Sequence, residues 1–444
     1  MMYQPFNKSI FLILLTPFTI LLADYVMKPD GTLTHYTLHD SSTLPSLHNE
    51  NNETVNDAVS IKKYGAIGDG ITDDTAAIQK AISSESKLFF PKGRYKVSNS
   101  LYPRSNTVLI SDNATIYYTK EHGVNVLYPA LYFQKNIHNV KILGHWIFEG
   151  NTPKSMFDKT TATPDDSYVQ GIKIKENCSN IYIENFEGYN FSGGALEIGT
   201  DDPSTIPPSH ITIDQMKVYH CWNVNMSITS GTDIHIKNIE SYGALSNSAY
   251  AQVGIDIEVN TPHDVLENIQ IDKIVTHNNE TGFQILTMTQ AQKGVTINEI
   301  DSFDNSDNGI SLFNVTDCTL KKVNIHNNKG AGVYLDGTFK NISLESGDVN
   351  NNLNHGILAQ MDASEILASS ENLNIGLDIY NNHGYGILLS GTEKYPVKRF
   401  TCSGKVYDDQ SVKTQLTGID VQKNVMDINI TAKVYGNKYS QVIK

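Results

Sequence analysis

Asp256 and Glu258 stand two residues apart in the segment Gly254-Ile255-Asp256-Ile257-Glu258-Val259-Asn260. In a strand, alternate residues share a face, so the aliphatic side chains turn inward and both acids outward, about 6.6 Å apart along the strand. That spacing is near the roughly 6.5–9.5 Å carboxyl separation of an inverting glycosidase. Like charges this close repel, which favours one protonated acid beside one ionised base. The pair therefore has the chemistry to cleave a glycosidic bond. A solvated strand face is the other use of outward acids.

Further candidates lie on either side. Glu197, in Ala195-Leu196-Glu197-Ile198, precedes the loop Gly199-Thr200-Asp201-Asp202-Pro203, and with Asp201 and Asp202 it makes three further acids. In Trp222-Asn223-Val224-Asn225-Met226 the indole offers a platform for a sugar ring, with Asn223 and Asn225 outward and His220 just before. Tyr250, His263 and His277 flank the acid pair, and Gln284, Ser311, Tyr334 and Asp336 continue a line of hydrogen-bonding groups. The expected catalytic set is Asp256, Glu258, Glu197, Asp201 and Asp202. The expected sugar contacts are Trp222, Asn223, Asn225, Tyr250, His220, His263, Gln284 and Tyr334. Lys173 and Lys175 are also outward and could neutralise a uronate carboxylate.

A repeat positions these residues. A Gly, an aliphatic residue, any residue and a second aliphatic recur as Gly171-Ile172-Lys173-Ile174, Gly254-Ile255-Asp256-Ile257, Gly282-Phe283-Gln284-Ile285 and Gly309-Ile310-Ser311-Leu312. Further copies start at Gly332, Gly356, Gly386 and Gly418. From Gly254 onward the steps are 28, 27, 23, 24, 30 and 32 residues. An irregular period of this size signals a solenoid. Between the copies lie second alternating runs such as Ile211-Thr212-Ile213, Ile234-His235-Ile236 and Ile269-Gln270-Ile271, then Asn-rich turns such as His277-Asn278-Asn279 and His326-Asn327-Asn328. One coil cannot bury its apolar face alone, whereas stacked coils can. The expected fold is all-β, a right-handed parallel β-helix with a short amino-terminal capping helix. A leucine-rich repeat is excluded by the missing Leu/Asn consensus.

Charge narrows the function. The chain has 48 acidic and 34 basic residues, a net −14, and no Lys/Arg run, so nucleic acid is not an expected partner. Its 43 Asn and 31 Gly suit a chain rich in turns. Four Cys without CxxC spacing indicate neither a disulfide scaffold nor a zinc site. Residues 1–23, with Lys8 and the apolar run Ile10 to Ala23, read as a signal peptide, and no later stretch could span a bilayer. Residues 24–57 are expected to be a linker, 58–104 the cap and 105–444 the β-helix.

The segment Val59 to Ser98 contains Gly68-Asp69-Gly70-Ile71-Thr72-Asp73-Asp74-Thr75-Ala76-Ala77-Ile78-Gln79-Lys80-Ala81-Ile82, then Leu88-Phe89-Phe90-Pro91-Lys92-Gly93-Arg94-Tyr95. Physically it is a Gly-rich turn, a capped helix and a strand, and its acids are expected to brace structure, not hold phosphate. It resembles the opening of the pectate-lyase-like superfamily of polysaccharide lyases, glycoside hydrolases, tailspike depolymerases and alginate epimerases. The resemblance implies a polysaccharide substrate and three reaction classes. Hydrolysis is favoured and needs no cofactor. A lyase or C5-epimerase acting on uronates is the alternative, with calcium possible, and a non-catalytic glycan-binding spike or adhesin is the second. The superfamily's alginate epimerases place Asp and His where this chain has Asp256 and Glu258, and its polygalacturonase signature is absent. Arg94, Arg104 and Arg399 all lie outside the central coils. The resemblance implies a secreted, periplasmic or cell-surface protein.

Overall fold

The structure, a computed structural model, describes residues 25–27, 33–35, 55–119, 128–157, 169–201, 205–245, 252–287, 292–361 and 366–443. The expected signal peptide lies outside them. Within the unit Met1–Thr54, Tyr25–Met27 pairs antiparallel with Leu33–His35. The stretch expected to be a linker thus contains a hairpin, whose strands are too short to show period-two alternation.

Val55–Lys444 forms the second unit. Twelve parallel strands, from Leu131–Phe133 to Ser440–Ile443, make one sheet. Longer strands such as Ser179–Tyr189, Ser209–Tyr219, Gly231–Tyr242 and Leu266–His277 make the second. The chain visits the sheets in turn, producing a right-handed parallel β-helix. Register holds the repeat's first aliphatic in one inward row, with Ile172, Leu196, Met226, Ile255, Phe283 and Ile310 on consecutive strands, all fully buried. Each such side chain contributes about 1.5–3 kcal/mol by leaving water.

The repeat's glycine answers to its asparagine. Asn279, Asn305, Asn328, Asn352 and Asn382 are completely buried and form a ladder: Asn305 Nδ2 donates to Asn328 Oδ1 at 2.8 Å, Asn328 to Asn352 at 2.9 Å and Asn352 to Asn382 at 2.9 Å. A Cβ on Gly254 would lie 2.6 Å from Asn279 Nδ2, and one on Gly309 2.8 Å from Asn328 Nδ2. Glycine leaves the space that the next coil's amide fills. Asn278, Asn327, Asn351 and Asn381, one residue before four ladder members, have φ of 54–60°, the left-handed turn that Asn tolerates. One residue earlier still, Tyr242, His277, Phe303 and His326 stack with centroids 4.9–5.1 Å apart. His277 belongs to this stack.

At the amino-terminal end, helix Thr75–Ser84 turns Ile78, Ala81 and Ile82 into the core, as the apolar stripe requires. Asp73 accepts from the Thr75 N–H at 3.0 Å, at the start of the helix. Asp74 instead accepts from the Ile67 and Gly68 N–H groups at 2.6 and 2.9 Å, bracing the Gly-rich turn. Cys178, Cys221, Cys318 and Cys402 are free and buried. Among the described residues no helix is long and apolar enough to cross a membrane.

Candidate active site

The outward position of the repeat forms a row on the twelve-stranded sheet. Strand pairing puts Lys173, Glu197, Ser227, Asp256, Gln284, Ser311 and Tyr334 on seven successive rungs, about 4.8 Å apart. Glu258 lies two residues beyond Asp256 on the strand Val253–Val259 and pairs in register with Leu286. Local alternation chooses the face, and stacking chooses the neighbours.

Asp256 is only 5% exposed, and Gln284 Nε2 donates to its Oδ1 at 3.2 Å. Burial raises its pKa well above the usual carboxylate value and the Glu258 charge adds to this, against the Gln284 hydrogen bond. Burial raises Glu258 as well, opposed by a hydrogen bond from Asn260, and the Glu197 and Asp264 carboxylates push it further. Both acids are therefore harder to ionise than ordinary carboxyls.

Next to them two buried lysines are paired with a half-buried Glu197 and an exposed Asp201. Lys173 Nζ lies 2.8 Å from Glu197 Oε1 and 3.5 Å from Asp201 Oδ1, and Lys175 contacts the same Asp201 oxygen. Gln170 Nε2 donates to Glu197 Oε2 at 2.7 Å, and the Asp201 N–H donates to Glu176 at 2.6 Å. Burial would lower Lys173, but Glu197 and Asp201 outweigh it and raise its pKa. Lys175 goes the other way, lowered by burial and then by Lys173. The two ammonium groups hold Asp201 below the usual range despite burial.

Several sequence-based assignments are corrected. Trp222 is 1% exposed, so its ring faces are packed inside the protein and give no platform. Asn225 points inward: it accepts from the Cys221 N–H at 3.0 Å and donates to Ser241 Oγ at 3.0 Å and Asn279 Oδ1 at 3.3 Å. It stands in register with Gly254, at the repeat's glycine position. His220 sets its ring edge-on to Tyr219 and Tyr242, with the aromatic stack and not with the acids. His263 is exposed, with its N–H 3.4 Å from Thr261 Oγ1. Asn223 is half-buried just before the strand Val224–Ile228. Tyr334 does extend the row, donating to Asp336 at 2.6 Å and accepting from Gln360 at 3.0 Å. Asp202 and Tyr250 lie outside the described residues.

Two partners were missed. Asp264 accepts from Thr200 Oγ1 at 3.2 Å and the Thr261 N–H at 2.8 Å, tying the loop after Glu197 to the loop after Glu258. Its only sequence signal is the turn Asn260-Thr261-Pro262-His263-Asp264. Gln170 carries no signal beyond its place before Gly171. Among the described residues no three His, Cys, Asp or Glu side chains gather as a metal site.

A parallel β-helix with an acid-bearing strand face is the architecture of the pectate-lyase-like proteins. The chain belongs to the rhamnogalacturonase A/epimerase, pectate lyase-like family, whose model matches residues 58–358. It is 26% identical over 227 residues to the pre-neck appendage protein of Bacillus phage phi29, 47% of this chain and 26% of that one, so it spans about a quarter of that relative. Its fold is similar to the A-module of Azotobacter vinelandii mannuronan C-5 epimerase AlgE4, with TM-score 0.56 and 16% identity, covering 87% of this chain and all of the module. It is also similar to PfbA, a surface adhesin of Streptococcus pneumoniae, with TM-score 0.54 and 15% identity, covering 87% and 93%.

Proposed function

We propose that this chain hydrolyses glycosidic bonds of an extracellular polysaccharide laid across the Glu197–Asp256–Gln284 row. Asp256, protonated, donates its proton to the glycosidic oxygen as that oxygen leaves the anomeric carbon. Glu258, ionised in the working state, takes a proton from the water that attacks the same carbon from the opposite face. Glu197 and Asp201, both held against Lys173, flank this pair. The observation that carries this reading is the burial of Asp256 beside Glu258, which favours one protonated carboxyl beside one ionised one. The family and its relatives support a secreted or surface-exposed protein acting on polysaccharide.

The likeness to the epimerase module favours a second reading, removal of the C5 proton of a uronate. The adhesin likeness favours a third, glycan binding alone. Incubation with a panel of neutral and acidic glycans, read by reducing ends and by ultraviolet absorbance, separates the three. New reducing ends without absorbance support hydrolysis. An unsaturated uronate product sinks it, and binding without any change in the glycan leaves the adhesin reading.

A further inference from the structure

The cations of the acid-bearing face are already used. Lys173 is the only Lys or Arg on the outward row from Tyr132 to Asp420, whose positions are set by strand register. Its side chain is 5% exposed and its Nζ sits 2.8 Å from Glu197 Oε1. Lys175, 2% exposed, is held against Asp201. Past this pair the row offers Asp256, Gln284 and Ser311, and the parallel row two residues on carries Glu258 and Asp336. A polyanion on this surface would bring its charges to carboxylates with no uncommitted cation among these rows to offset them, and like charges brought together select against a partner.

We propose that the face takes an uncharged glycan, and that Glu197, together with Asp201, sets this by occupying the Lys173 ammonium group that would otherwise receive a substrate carboxylate. The proposal rests on the reading of this face as the glycan site. Gln170 holds the other Glu197 oxygen at 2.7 Å, so the carboxylate is fixed on Lys173 from both sides. A uronate would have to displace a half-buried, hydrogen-bonded carboxylate to reach the lysine.

The test is affinity electrophoresis of the full chain carrying Asp256→Asn, through gels containing neutral glucans, mannans and xylans or containing polygalacturonate and polymannuronate. Retardation by a neutral glycan and none by the polyuronates is expected. Adding Glu197→Gln leaves Lys173 only its longer contact to Asp201, at 3.5 Å, and should raise polyuronate affinity at least about tenfold, an effect that weakens with salt. Because that change removes the nearer counter-charge of a buried ammonium, Ser311→Lys provides a second variant, placing a cation on a partly exposed rung, with a gain in the same direction. Polyuronate binding by the Asp256→Asn chain equal to or tighter than neutral binding, or binding of neither class, overturns the proposal. Neutral binding by the chain with no reducing ends released by the wild type sinks the hydrolase reading and leaves this inference standing.

Discussion

Asn225 Nδ2 donates to Asn279 Oδ1 at 3.3 Å, from a strand position where the following coils carry glycine. Elsewhere the ladder amide comes from the turn of the next coil and glycine makes room for it. Here that turn has Ala244, whose N–H donates to Asn279 Oδ1 at 2.9 Å, and the amide comes from the strand instead. The ladder is continued by a residue from a different part of the repeat, because a buried amide acceptor must find a donor wherever one can reach.

Filling that space from the glycine side should destabilise the fold. A Cβ at Gly282 would lie 2.4 Å from Ser302 Oγ, 2.6 Å from Gly309 O and 2.8 Å from Asn305 Nδ2. Gly282→Ala is expected to cost about 1–3 kcal/mol, and Asn305→Ala a similar amount through unpaired ladder partners. Urea unfolding followed by circular dichroism measures both.

The acid pair should trade stability for activity. Asp256 is raised in the folded state, so its contribution to stability is fully present below the unfolded value, about 3.9, and is lost as pH rises through the folded pKa. Asp256→Asn removes that loss and is expected to gain about 1 kcal/mol at neutral pH. The same variant should lower kcat about 10²–10⁴-fold. A thermal melt and an assay of one preparation test both halves.

Activity should fall on the alkaline side as Asp256 loses its proton. Because burial and Glu258 both raise it, that limb is displaced upward from the ordinary carboxylate range. Glu258→Gln removes one of the two causes and should shift any residual activity's alkaline limb downward. The pH profile of kcat/KM reads this directly, and an unmoved limb would reassign the acid.

Breaking the lysine–carboxylate pair from one side should be costly. Lys173→Met leaves Glu197 and Asp201 without their shared cation and is expected to cost about 3–5 kcal/mol. Lys173→Met with Glu197→Leu should recover part of it. Comparing the two denaturation midpoints is the check.

The cap rests on Asp74. Asp74→Ala leaves the Ile67 and Gly68 N–H groups without their acceptor, for a loss of about 1–3 kcal/mol, whereas Asp74→Asn keeps one acceptor oxygen and should lose less. Urea midpoints of the two variants rank them.

The repeat, its direction and the outward placement of Asp256, Gln284 and Tyr334 were legible from period-two alternation, because alternation is a local property of a strand. Trp222 and Asn225 were misplaced for the converse reason. The alternation that carried the other assignments does not say which polar residue a neighbouring coil will draw inward, and an aromatic next to acids looks the same in sequence whether packed or open.

By itself the amino-acid sequence determined the solenoid, its capping helix, the glycine and asparagine rows and the strand that carries two acids. Those follow from spacing and residue type. Tertiary structure alone decided that Lys173 stands on the rung beside Glu197, that Asp256 is buried, and that Asp264 joins two loops. Such facts depend on register between strands tens of residues apart and on what covers each rung, and neither is encoded within a single coil.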